Sequence, residues 1–177
     1  TFLDKLPGSG VETIEQWWNN WANGNGISLP YSIVLGGRNE EKGQVIDACE
    51  SPKHVYLEAN TQAETIAFVI ASICTNENSG LAERALVAST HEAYLDLVNH
   101  YKDLIIITTV KEPESAATER NHTIIHTSST EDHASNAITL PVIPKDDFVN
   151  ALKEIGIQSV AVYSQADADS LHVLLAD

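Results

Sequence analysis

Positive charge is scarce in this chain. Ten Lys and Arg stand against 25 Asp and Glu, a formal net charge of -15. A nucleic-acid surface needs clustered Lys and Arg to displace the counterions around phosphate, so this balance argues against one. It also opposes docking on an anionic membrane. It suits a cytoplasmic protein kept soluble by like-charge repulsion. Cysteine is limited to Cys49 and Cys74, too few for a disulfide framework. Both read as small apolar residues, and a redox pair is the lesser alternative. Methionine is absent and the first residue is Thr, which points to a piece of a longer polypeptide. No apolar run approaches the roughly 18 to 20 residues of a membrane-spanning helix. The opening TFLDKLPGSG has neither the basic nor the apolar region of a signal peptide.

What is present is a core. The 177 residues are 43% hydrophobic, enough for one domain. The chain centres on residues 53–75, KHVYLEANTQAETIAFVIASICT. His54-Val55-Tyr56-Leu57 is a short β-prone run, residues 58–62 are polar, and Ile66, Phe68, Val69, Ile70 and Ile73 follow among good helix formers. That pattern predicts strand, tight turn and packed helix. In α/β proteins such a turn is a phosphate site, because the N–H groups of the first helical turn are unsatisfied there. A P-loop reads G-x-x-x-x-G-K-[ST]. Here the frame is Glu58-Ala59-Asn60-Thr61-Gln62-Ala63-Glu64-Thr65, with the final Thr but neither the glycines nor the lysine.

Residues 11–22, VETIEQWWNNWA, read as a helix with Ile14, Trp17, Trp18 and Trp21 on one face and Ser9 or Gly10 as its cap. The tryptophans suit a stacking platform or partner groove, or a helix stapled onto the core, and the staple is preferred. Residues 32–35 read as a short strand broken by Gly36-Gly37-Arg38. Residues 39–50 read as a helix capped by Asn39, burying Val45, Ile46 and Cys49. Residues 84–89 are a second buried strand, and Thr90 caps a helix from His91 to about Tyr101. Residues 103–109, DLIIITT, have the continuous β-branched character of a central parallel strand. Residues 112–120 predict a short helix, 122–127 a strand, 137–142 an extended segment, 145–155 an amphipathic helix and 159–175 further helix. The alternation implies an α/β, three-layer fold with a mainly parallel sheet, an N-terminal helix and a helical C-terminal appendage. The expected divisions are 1–31, 32–142 and 143–177, all within one compact unit.

This order resembles the core of a STAND-type P-loop ATPase, one of the signalling ATPases related to the AAA+ group and found in large immune and bacterial defence proteins. Gly36-Gly37-Arg38-Asn39-Glu40-Glu41 resembles the GR-x-E segment that precedes the first strand. Residues 54–73 fall where the P-loop strand and helix belong, RALVAST (84–90) where the Walker B strand belongs, and DLIIITT resembles the sensor strand. Residues 137–141 and the helix from Lys145 resemble the lead into the helical lid. The departures lie at the catalytic positions. Ala63 and Glu64 replace Gly-Lys, so repulsion replaces attraction for phosphate. Thr65 remains, with no phosphate to help hold a metal. Ser89 and Thr90 replace the Walker B acids, and Val110-Lys111 stand where Arg is usual. The resemblance therefore implies a P-loop NTPase-like fold without hydrolysis, a nucleotide place that is at best vestigial at Ala63, Glu64 and Thr65, no cofactor, and partners that are other domains of the same polypeptide or other proteins.

The alternative is a metal-dependent hydrolase using carboxylates at strand ends, with Glu58 and Glu92 expected on neighbouring strands and Glu64 and Asp103 near other ends. A bare interaction domain of flavodoxin-like or receiver-like topology also fits the alternation, without a receiver's clustered acids. His122 and His126, with His133 beyond, would lie about 13 Å apart on one face of a strand, too far for one metal. Ser89-Thr90-His91 lacks a nucleophile elbow, and Thr90 fits a helix cap better.

Overall fold

The computed structural model describes residues 10–22, 28–77, 80–110, 121–127 and 137–158. In chain order the elements are β1 (Val11–Thr13), α1 (Ile14–Ala22), a 3₁₀ turn (Tyr31–Val34), α2 (Asn39–Glu50), β2 (His54–Glu58), α3 (Gln62–Cys74), a second 3₁₀ turn (Ala82–Arg84), β3 (Ala85–Ala88), α4 (His91–His100), β4 (Ile105–Thr108), β5 (Thr123–Thr127), β6 (Ala137–Thr139) and α5 (Lys145–Glu154). The helices expected over 112–120 and 159–175 lie outside the described residues.

The strands form one sheet in the order β1-β3-β4-β5-β2-β6. Every pairing from β3 to β6 is parallel, and β1 runs antiparallel along the β3 edge. Alternate residues serve opposite faces, as strand pleating requires. Ala85, Val87, Ile105, Ile107 and Ile125 join the larger core with α1, α2 and α3. Leu86, Ala88, Ile106 and Ile124 pack with Ala93, Tyr94, Leu97 and Val98 of α4 on the other face. The fold is therefore α/β in three layers, with five helices among the described residues.

Four expectations are corrected in the first 50 residues. Residues 11–22 are not one helix, since 11–13 form β1. Gly10 makes the turn, at φ +93. Helix α1 then starts at a reciprocal capping box and not at Ser9 or Gly10. The Thr13 N–H donates to Gln16 Oε1 at 3.1 Å, and the Gln16 N–H donates to Thr13 Oγ1 at 3.0 Å. Residues 32–35 are not a strand. They curl into the 3₁₀ turn after Pro30, closed by Ile33 N–H to Pro30 O and Leu35 N–H to Ser32 O. Ile33 and Val34 are thereby buried against the helices and not paired in the sheet. Asn39 opens α2 but makes no cap, the capping position being Arg38.

Helix α3 supplies Ile66, Ala67, Phe68, Val69, Ile70, Ala71 and Ile73 to the larger core. Nine successive residues from Thr65 to Ile73 are buried, so the helix is enclosed on all sides. Thr61 caps it, its Oγ1 accepting the Glu64 N–H at 3.1 Å.

Cys49 ends the buried face of α2, and burial pushes its thiol up to about 11, the nearby Arg84 charge opposing this only in part. A thiol whose pKa is raised by folding holds its proton longer in the folded state. Its stabilising contribution is complete below the ordinary value of 9.0 and is lost as pH climbs through about 11. Urea midpoints measured from pH 8 upward should fall across this window, and Cys49→Ala should flatten the first part of that fall.

Candidate functional site

Neighbouring strands β5 and β2 send the chain in opposite directions: β2 leads through α3 to β3, and β5 leads to β6 beyond β2. Ligands of open α/β sheets bind outside the carboxyl ends of strands at such a reversal. The turn from Glu58 to the start of α3 lies there, where the sequence places the P-loop-like frame.

An ion pair of a buried arginine and a partly exposed glutamate fills this turn. Arg38 is 1% exposed, and each guanidinium nitrogen has an acceptor. Nε donates to Pro141 O at 2.8 Å, Nη1 donates to Val34 O at 3.2 Å, and Nη2 donates to Glu64 Oε1. The guanidinium also lies 5.7 Å from the centre of the Phe68 ring. Glu64 sits in the first turn of α3, where a carboxylate is favoured by the helix dipole. The pair is thus held by charge, by hydrogen bonds and by an aromatic face, which offsets the cost of taking a guanidinium out of water.

Two glycines make room for it. A Cβ at Gly36 would sit 2.6 Å from Asp147 Cβ, and one at Gly37, whose φ is +68, would sit 2.9 Å from Pro144 Cδ. Gly36-Gly37 therefore lets the backbone ahead of Arg38 lie directly on the start of α5. Ser32 Oγ donates to Glu154 Oε2 at 3.2 Å, fastening the far end of α5 to the same 3₁₀ turn. The segment that resembles GR-x-E is thus a joint between the 3₁₀ turn, α3 and α5.

The other candidate residues fall as follows. Ala63 is half-buried beside Glu64. Thr65 is buried, and its hydroxyl donates to Gln62 O at 2.7 Å within its own helix. Glu58 ends β2 and Glu92 lies in the first turn of α4 after β3. They were expected on neighbouring strands. In fact β4 and β5 lie between β2 and β3, a separation of about 14 Å at the spacing of adjacent strands. The two carboxylates do not share a site. Among the described residues no three His, Cys, Asp or Glu side chains are grouped to hold a metal ion. Asp103 lies in the turn before β4 with φ 57, and its carbonyl accepts from Arg84 Nη1 at 3.2 Å, a structural role. Thr90 caps α4, accepting the Ala93 N–H at 3.2 Å. Trp18 is buried in the core, and Trp21 is 38% exposed, so α1 is stapled on as expected.

His122 and His126 both belong to the β5 segment and are buried. His122 Nδ1 accepts the Leu104 N–H at 3.1 Å. His126 meets a partner that spacing within one strand does not reveal. Its Nε2 lies 3.1 Å from Nδ1 of His54 on β2. The two ring planes differ by only 17° and their centroids are 5.4 Å apart. The rings therefore lie nearly edge to edge, one nitrogen donating and the other accepting. Tyr56 stacks flat on His126 at 4.6 Å between centroids. Register explains the group, since Tyr56 stands opposite His126 in the β2–β5 pairing and His54 is two residues earlier on the same face.

Comparisons with protein-family models, with curated proteins and with solved structures returned no match. Among the described residues no helix is long and apolar enough to cross a membrane.

Arg38→Ala should destabilise the fold by about 3 to 5 kcal/mol, because it leaves the Glu64 carboxylate and two carbonyls without their donor. The double variant Arg38→Met/Glu64→Leu should lose less than Arg38→Ala alone, since no orphan charge remains; urea denaturation midpoints decide this. Gly37→Ala should lower the melting midpoint, since a side chain there meets both the left-handed backbone cost of about 1 to 2 kcal/mol and the Pro144 ring.

Proposed function

We propose that the chain is a degenerate, non-hydrolysing P-loop NTPase-like module that serves as a structural or regulatory domain of a larger protein of the bacterial defence or signalling kind. The observation that carries this reading is the Arg38–Glu64 pair. Where a P-loop lysine would meet phosphate, the chain has a carboxylate, and that carboxylate is already matched by an arginine of the same module. An incoming phosphate would face Glu64 and would have to break the pair to reach Arg38, whose other donors are held by Pro141 O and Val34 O.

The internal pair draws the lid-like segment and the lead-in segment onto the strand-to-helix turn. Here Pro141 and α5 supply the lid-like part and Gly36–Arg38 the lead-in. The module is closed by its own residues and needs no ligand to hold that arrangement. Its role is then to present a fixed surface to neighbouring domains or protein partners. The reversal of chain direction at β5 and β2 supports the placement of this site, and the wide separation of Glu58 and Glu92 weighs against the metal-hydrolase alternative.

Thermal melting of the purified protein with ATP, ADP and Mg²⁺, singly and together, tests the reading. A ligand that binds only the folded state at a hundredfold excess over its dissociation constant adds about 2.7 kcal/mol of stability. The expected outcome is an unchanged midpoint with every addition, and no phosphate release from ATP. A nucleotide-dependent rise, or turnover that disappears in Thr65→Ala, would restore an ATPase reading.

A further inference from the structure

A second site lies at the other end of α3. The helix is 13 residues long, and Cys74 lies about 15 Å along it from Glu64 at the usual rise per residue. Beside Cys74 is a cavity of about 610 Å³, between α1, the segment 28–31 and the 3₁₀ turn before β3. This is within the usual range for small-molecule sites. Its walls are apolar and aromatic, from Ile14, Trp18, Leu29 and Tyr31. Trp18 and Tyr31 pack on each other, with centroids 4.7 Å apart.

Its electrostatics are one-sided. Glu15 and Glu83 line it, and no lining residue carries a positive charge. Arg84, the closest cation in sequence, is committed elsewhere, its Nη1 to Asp103 O and its Nη2 to Cys49 O. Glu15 lines the cavity beside Tyr31 and Cys74, and burial first, with the Glu15 charge adding to it, raises the pKa of both the Tyr31 hydroxyl and the Cys74 thiol. Both groups therefore stay protonated at neutral pH. An anionic ligand would meet two carboxylates with no counter-charge. A neutral apolar ligand would fill the walls but would partly desolvate those carboxylates without compensation. A cation with an apolar body satisfies both, and aromatic faces attract it further.

We propose that this cavity is a binding site for a small organic ammonium ion, with an aryl or alkyl body against Ile14, Leu29 and Tyr31 and its charged nitrogen between Glu15 and Glu83. The site is independent of the Arg38–Glu64 turn, and it gives the module a ligand unrelated to nucleotide.

The test is a titration of the full chain with phenethylammonium, phenethyl alcohol and 3-phenylpropionate, following the three tryptophan indole N–H signals by NMR. Phenethylammonium should shift one indole signal and bind at least tenfold more tightly than the alcohol, and the carboxylate should not bind. Glu15→Gln/Glu83→Gln should reduce ammonium affinity to that of the alcohol. Both residues are exposed, so the variant should melt like the parent, whereas Glu41→Gln on α2 should leave affinity unchanged. Equal affinity for ammonium and alcohol, the absence of ammonium binding, or retention of full affinity in the double variant would overturn the proposal. Tighter binding of N-acetyl-lysinamide than of phenethylammonium would also overturn it, by assigning the cavity to a lysine side chain of a protein partner.

Discussion

A guanidinium that is almost wholly enclosed must find an acceptor for each of its nitrogens, and much of this fold follows from how Arg38 does so. Its acceptors come from the 3₁₀ turn, the first turn of α3 and the segment after β6. Those three pieces must therefore meet at one point. The meeting needs a backbone ahead of Arg38 that can lie flat on α5, which is why two glycines precede it. It also needs a carboxylate in the first turn of α3, where a phosphate-binding protein would need the opposite charge. One requirement, the satisfaction of a buried cation, thus ties a helix packing, a glycine pair and an acidic first turn of α3 together.

Helix α3 links this point to the rest of the domain. Because it is enclosed on all sides, its two ends are the places where polar chemistry reaches the helical layer. One end is sealed by Arg38. The other ends at Cys74 beside a cavity with aromatic walls and acidic edges. The sheet contributes a different polar group, the His54–His126 pair with Tyr56, set on the face opposite Val55 and Leu57.

The layered α/β architecture was legible in the sequence because periodicity reports burial. The uninterrupted apolar run at 104–107 gave β4, and the apolar helix formers after Thr61 gave α3. Thr90 was recognisable as a cap from its position between a buried strand and an amphipathic stretch. The misreadings came where local preference was overruled by neighbours. Val11-Glu12-Thr13 continues a helical pattern, yet the open edge of β3 recruits it as a strand. Ser32-Ile33-Val34 has the composition of a strand but no strand to pair with. Within the candidate site the mismatched frame at Ala63-Glu64-Thr65 was visible in the sequence, and the turn that carries it holds the Arg38–Glu64 pair. The partner of Glu64 was not visible, although Arg38 had been noticed for another reason, because the contact spans 26 residues of chain. The placing of Glu58 beside Glu92 failed because chain order does not give strand order. His54–His126 escaped for the same reason, as a pairing set by register across 72 residues.

The reach of Arg38 also carries a kinetic meaning. Its contact with Val34 is local, that with Glu64 spans 26 residues, and that with Pro141 spans 103. Closing the longest of these loops has its own entropic cost, and a clamp that closed only after β6 had joined β2 would be absent from the folding transition state. Interactions absent from the transition state act on the rate of unfolding and hardly on the rate of folding. Arg38 is then less a guide to the native structure than a latch that sets how long the structure lasts once made.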